Sequence, residues 1–345
     1  MTEALIDYGL FAAKSLTVIL AIALLLLLLA RARRGGGLGS HDDDDDGSRL
    51  EVVDLNDRFA NMADIIKHAT LPPKAYKKAA KAERKEEKAR AKAEDSGRRR
   101  LFVMDFHGDI MATETGALRE MISALLLVAK SGDEVLLRLD NSGGAVHEHG
   151  LAASQLLRIR EREITLTVAV DKVAASGGYL MACVANRIVA APFAVIGSIG
   201  VLAELPNFHR LLKEKGVDFE LHTAGEYKRT LTLFGENTDE GREKLRQQLE
   251  ETHDLFKAFI QRHRPGLDLT KVATGEYWHA DQALALGLID GISTSDDYLL
   301  AARDDADLFK LRYRARKRPL DRLLGAVQHA AAEAAAALAG RWRGH

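Results

Sequence analysis

Three stretches of the 345-residue chain carry residue types that could do acyl-transfer chemistry. In "DKVAASGGYLMACVA" (171–185) a β-type run ends on Ser176, two glycines follow, and an apolar helical pattern begins. A hydroxyl at that point serves equally well as a helix N-cap or as a nucleophile favoured by the positive end of the helix dipole. Gly177 lets a substrate carbonyl approach the backbone closely. In "LDNSGGAVHEHG" (139–150) the pair Gly143 and Gly144 could turn backbone N–H groups toward one point, as a developing oxyanion requires, or could simply make a tight strand-to-helix turn. In "HTAGEYKRTLTLFGENT" (222–238) Lys228 stands among Tyr227, Thr230, Leu231, Thr232 and Leu233. A lysine acts as a general base only as the neutral amine; most lysines are solvated cations.

The elements that must position these loops are short apolar runs at 101–106, 135–140, 166–171 and 187–191, with helix-period stretches at 114–129 and 149–162 between the first three. Strands alternating with helices predict an α/β domain of mostly parallel strands, whose chemistry gathers in the loops at strand ends. Upstream, the uncharged run "LTVILAIALLLLLLA" (16–30) is long enough to span a hydrocarbon core when 9–13 join it across Lys14. It ends in the basic flank Arg31–Arg34 with no small-residue cleavage site, which predicts an uncleaved anchor rather than a signal peptide. An acidic linker containing Asp42–Asp46 follows. From Lys74 to Arg100 the chain carries twelve Lys or Arg against five Asp or Glu and is rich in Ala, which reads as a solvated helical stalk able to meet anionic lipid. It has one aromatic residue, Tyr76, so no nucleic-acid partner is expected.

The organisation read from the sequence is therefore a membrane anchor with basic flank at 1–34, linker and stalk at 35–100, a catalytic α/β domain at 101–300, and a C-terminal helical tail at 301–345 that includes the Ala-rich stretch 321–342. The single cysteine, Cys183, excludes an intrachain disulfide and reads as a small buried hydrophobe. His147 and His149 have no third ligand at a fitting spacing, so neither a metal nor a cofactor is expected. The formal net charge of −1 averages over unlike segments and points to no partner.

Four longer segments bring the three loops together: "GLAASQLLRIR" (150–160), "VDKVAASGGYLMACVANRIVAAPFAVIGSIGV" (170–201), "LPNFHRLL" (205–212) and "TAGEYKRTLTLFGENT" (223–238). They closely resemble the signal peptide peptidase A family of bacterial inner-membrane serine peptidases, over the anchor and nearly all of 101–300. The resemblance implies a ClpP/crotonase-like fold and a Ser/Lys dyad. Ser176 then falls on the nucleophile, Lys228 on the general base and Ser198 on the residue that orients the lysine amine. Gly143 and Gly144 fall on the oxyanion turn, completed by the backbone near Ser176 and Gly177. One departure is visible: Asn141-Ser142-Gly143-Gly144 stands where the family has Ser-Pro-Gly-Gly, so the turn lacks a proline's restraint.

The resemblance further implies a peptide or unfolded-polypeptide substrate, such as a signal-peptide remnant or a membrane-associated chain. It also implies a cyclic homo-oligomer that shares serine and lysine across subunit contacts, anchored to lipid by a single N-terminal pass. The basic flank favours a cytoplasmic catalytic domain, whereas signal-peptide degradation favours the outer side. Other readings remain open: a Ser/His variant using His147 or His149, a crotonase-like acyl-CoA enzyme, and an inactive membrane scaffold.

Overall fold

The computed structural model describes residues 49–92 and 98–314. The apolar run at 16–30 and the Ala-rich stretch at 321–342 lie outside them. Among the described residues no helix is long and apolar enough to cross a membrane.

The chain enters on strand β1 (Arg49–Asp54), then helices α1 (Leu55–Thr70) and α2 (Pro73–Lys92). Asp54 caps α1 by accepting a hydrogen bond from the Asp57 N–H at 3.0 Å. The α/β alternation follows: β2 (Arg99–Gly108), α3 (Thr115–Leu126), β3 (Glu134–Asn141), α4 (Val146–Arg160) and β4 (Thr165–Val170). Then come β5 (Val173–Ala175), α5 (Gly177–Ala182), β6 (Arg187–Ala190), β7 (Val195–Gly197), α6 (His209–Glu214) and α7 (Asp239–His263). The chain closes through α8 (Leu269–Val272), β8 (Tyr277–His279), α9 (Ala280–Ala285), β9 (Gly291–Ile292), α10 (Ser295–Ala302) and β10 (Ala306–Arg314).

One ten-stranded sheet runs β1-β10-β2-β3-β4-β6-β9, with β5, β7 and β8 branching from the end of β3. Pairings are parallel except β1 with β10 and β7 with β8. The four apolar runs of the sequence are β2, β3, β4 and β6, and the expected mixed α/β architecture is present. Both faces of the sheet are covered, which is why these strands read as nearly continuous apolar runs. Within β2, Phe102, Met104 and Phe106 enter the main core beneath α3, α4 and α5, while Leu101 and Val103 pack on the other face with Leu55, Leu299 and Leu308.

Two segments differ from the sequence expectation. "RLEVVD" (49–54), inside the stretch read as linker and stalk, is a strand, because its extended register pairs residue for residue with 309–314. "ADLFKLRYR" (306–314), read as part of a helical tail, alternates buried and half-buried positions over 306–310 and lies between β1 and β2. It brings Lys310 into the sheet, where the buried ammonium pairs with Asp105 of β2; Asp105 also accepts from Arg138 of β3 at 2.6 Å. Burial pushes the Asp105 carboxyl up, but the two cations outweigh it and hold it below the usual carboxylate range.

Candidate active site

The branch β5–β7 puts two of the singled-out serines side by side. Ala175 is paired with Gly197 in parallel register, so Ser176 and Ser198 each leave the end of adjacent strands. The Ser176 N–H donates to the Gly197 carbonyl at 2.7 Å, and the Ser198 N–H to the Glu276 carbonyl at 2.7 Å. Both serines have positive φ, 52° and 50°, a left-handed conformation that costs about 1–3 kcal/mol at a non-glycine residue and persists only where the surroundings impose it. At Ser176 those surroundings include the carbonyl that accepts from Leu180 N–H at 3.0 Å to open α5. The side chain does not cap that helix, and its hydroxyl has no hydrogen-bond partner among the described residues. Of the two uses open to this hydroxyl, capping is therefore absent.

The glycine turn comes against Ser176 from β3. A Cβ on Gly143 would lie 2.7 Å from both Ser176 Cβ and Gly177 N, so only glycine allows this approach, and its φ of +91° demands glycine independently. A Cβ on Gly144 would meet the Ile110 carbonyl oxygen at 2.2 Å. The Gly143 N–H is already engaged: it donates to Asn141 Oδ1 at 2.8 Å, closing an Asx turn. The N–H groups of Gly144 and Gly177 have no partner among the described residues, so these two, rather than the two amides of the glycine pair, are uncommitted donors.

Behind the turn lie two residues whose part the sequence reading did not see. Asn141 and His149 are both fully buried. His149 Nε2 is 3.2 Å from Asn141 Oδ1 and Nδ1 is 3.0 Å from the Ala145 carbonyl, two acceptors of which a neutral ring donates to one. His147 is exposed beside Glu148. No contact joins either ring to the Ser176 hydroxyl, which leaves the Ser/His reading without geometric support among the described residues. Cys183 is buried in the core as expected; burial raises its thiol pKa, so it stays an un-ionised hydrophobe.

Among the described residues no hydrogen bond or ion pair joins Lys228 to either serine. The lysine lies exposed in a segment that is braced against itself: Asn207 donates to the Thr232 and Gly235 carbonyls at 2.9 and 3.0 Å, and Phe208 stacks on Phe234. The segment reaches α7 through Lys244 over the Tyr227 ring, 5.0 Å from its centroid. Among the described residues the Lys228 ammonium has no hydrogen bond or ion pair. The structure thus sets the two serines and the glycine turn side by side.

Comparison with known proteins covers almost the whole chain. The model "Peptidase family S49 N-terminal" matches residues 3–156 and "Peptidase family S49" matches 158–309. A Haemophilus influenzae protein described as "Probable protease SohB" is 49% identical over 328 residues, 92% of this chain and 91% of that one. A protein of the same description from Buchnera aphidicola subsp. Acyrthosiphon pisum is 55% identical over 234 residues, 68% of this chain and 70% of its own length. Among solved structures, a variant of the 1510-N membrane-bound stomatin-specific protease with a substrate peptide aligns at 14% identity, covering 67% of this chain and 98% of that one at a TM-score of 0.43.

Proposed function

The chain belongs to peptidase family S49, and from that premise we propose a serine endopeptidase in which Ser176 is the nucleophile and Lys228 the general base. Ser176 Oγ attacks the scissile carbonyl as its proton passes to the neutral Lys228 amine. The Gly144 and Gly177 N–H groups donate to the oxyanion of the tetrahedral intermediate. Its collapse expels the amine, which takes the proton from Lys228, and leaves an acyl-enzyme; a water deprotonated by the same lysine then attacks the ester, and collapse releases the acid as that proton passes from Lys228 to Ser176 Oγ. Ser198, one strand over from Ser176, orients the lysine amine.

The observation that carries this reading is Ser176 itself: a strained backbone, an unengaged hydroxyl, and two uncommitted amides within one glycine-packed turn. The parallel strands with their site at the carboxyl ends support a ClpP/crotonase-like fold. Lys228 is assigned to the Ser176 of a neighbouring subunit in a cyclic homo-oligomer. This is supported by its unpartnered ammonium and by exposed apolar residues in its segment, among them Leu202 and Leu211. The run at 16–30 anchors the assembly to the bacterial inner membrane, where signal-peptide remnants or membrane-associated polypeptides are the substrates.

The test is a pair of inactive subunits. Ser176→Ala and Lys228→Ala should each abolish hydrolysis of an unfolded polypeptide, and mixing them should restore part of it, because some interfaces then hold an intact serine and an intact lysine. Turnover by purified Lys228→Ala refutes the base; no recovery on mixing refutes the sharing.

A further inference from the structure

Asn141 and His149 are buried polar side chains in an otherwise apolar layer. A polar group there costs about 2–7 kcal/mol if unpaired, and even a paired one is often no more stable than a well-packed apolar side chain of the same shape. Stability alone gives no reason for them. Their placement gives one. Asn141 ends β3 and is boxed by glycine backbone: a Cβ on Gly108 would lie 2.1 Å from Asn141 Cγ, and one on Gly178 would lie 2.0 Å from the Asn141 carbonyl oxygen. The His149 ring fills the space a Cβ on Gly177 would take, 2.5 Å from Cγ, and so lies against the backbone of the residue that follows Ser176.

The hydrogen bonds leave the Asn141 amide one orientation. Oδ1 accepts from Gly143 N–H at 2.8 Å and, in the tautomer with the proton on Nε2, from His149 Nε2–H at 3.2 Å, while Nδ2 donates to Met181 Sδ at 3.3 Å. Turning the amide over would set its NH2 against the Gly143 N–H, donor to donor. The Gly143 bond in turn keeps that N–H away from substrate and fixes the peptide plane beside Gly144.

We propose that His149 is a positioning residue: through the Asn141 amide it locks the turn 141–144, so that the Gly144 and Gly177 N–H groups stay aimed at the carbonyl carried by Ser176. The proposal rests on the reading of Ser176 as nucleophile. It supplies by side-chain hydrogen bonding the restraint that a proline at position 142 would give by covalent geometry.

The prediction is selective for the transition state, since the locked amides meet full negative charge only in the tetrahedral species. His149→Phe keeps the ring shape and removes its nitrogens; Asn141→Leu removes the amide. Each should lower kcat by about tenfold to a hundredfold with KM unchanged. Affinity for a peptide boronate, which forms a tetrahedral adduct on the serine, should fall in parallel. The double variant should lose about as much as the worse single one, because the two residues act in series. Thermal melts establish that each variant is folded.

A folded His149→Phe with the parent kcat overturns the proposal, as does unchanged boronate affinity or a double-variant loss equal to the product of the singles. Should His149→Phe not fold, His149→Gln, whose amide NH2 can donate in place of Nε2–H, is compared with His149→Ala: a higher kcat for Gln at equal KM supports the lock, and equality overturns it. Loss of the underlying reading is recognised separately, by hydrolysis in Ser176→Ala.

Discussion

Gly143→Ala tests the packing on which the site depends. The added methyl meets two atoms at 2.7 Å, Ser176 Cβ and Gly177 N, and the Ala175 carbonyl oxygen at 3.0 Å. Two of these are backbone atoms of strand and helix ends and cannot rotate away. A left-handed non-glycine residue costs about 1–2 kcal/mol, and overpacking typically another 1–3. If the turn holds, the variant is destabilised by about 2–5 kcal/mol, a fall in Tm of about 4–20 °C at 2–4 °C per kcal/mol. If the turn shifts instead, the melt moves less, but the amides are displaced and kcat falls by about a hundredfold. Gly150→Ala is the control of opposite sign: it lies within α4 with no heavy atom near its added methyl, so it should stabilise by about 0.5–1 kcal/mol and leave kcat unchanged. Melting by circular dichroism and turnover of a fluorogenic peptide on the same samples read both effects. A Gly143→Ala protein with the parent's Tm and kcat would refute the contact between turn and nucleophile.

Ser198→Ala should reduce kcat less than Ser176→Ala, since the first loses orientation of the base and the second loses the nucleophile; equal losses in burst and steady-state assays would contradict that division. Asp105→Asn leaves the Lys310 ammonium buried without its carboxylate and should cost about 3–5 kcal/mol in denaturant unfolding at neutral pH. Because the folded Asp105 pKa is depressed, its contribution is fully present above the unfolded value of about 3.9 and is lost as pH falls through the folded one. The gap between parent and variant should therefore be constant from pH 7 to 5 and close in more acid solution; a gap that widens on acidification would reverse the assignment. Tyr179→Phe removes the donor to the Leu288 carbonyl, a buried bond of 3.0 Å, and should cost about 1–3 kcal/mol without changing KM.

The sequence revealed the long buried strands and the catalytic loops for the same reason: each element had enough residues to show a period or a turn signature. β2, β3, β4 and β6 announced themselves as apolar runs, and Ser176 and the glycine pair as breaks at their ends. β5, β7 and β8 have three residues each, too few for alternation to emerge, so the adjacency of Ser176 and Ser198 became visible only in the register of Ala175 with Gly197. "ADLFKLRYR" is grouped in the sequence with the Ala-rich stretch beyond it as a helical tail; its strand character comes from lying between two neighbours. The Asn141–His149 pair had no linear signature, because a histidine facing back to the end of the preceding strand looks in sequence like any polar residue opening a helix.

The place of β10 has a consequence for biosynthesis. The strand laid between β1 and β2 is the last made among the described residues, so residue 54 leaves the ribosome 260 residues before the partner it pairs with is complete at residue 314. At about 5–20 residues per second that interval is about 13–52 s, during which the edge of β1 that β10 will pair with stays open to any other extended chain. The sheet therefore closes only after residues 306–314 have emerged. A nascent chain stalled before residue 306 should remain protease-sensitive and chaperone-bound, however completely its central strands have formed.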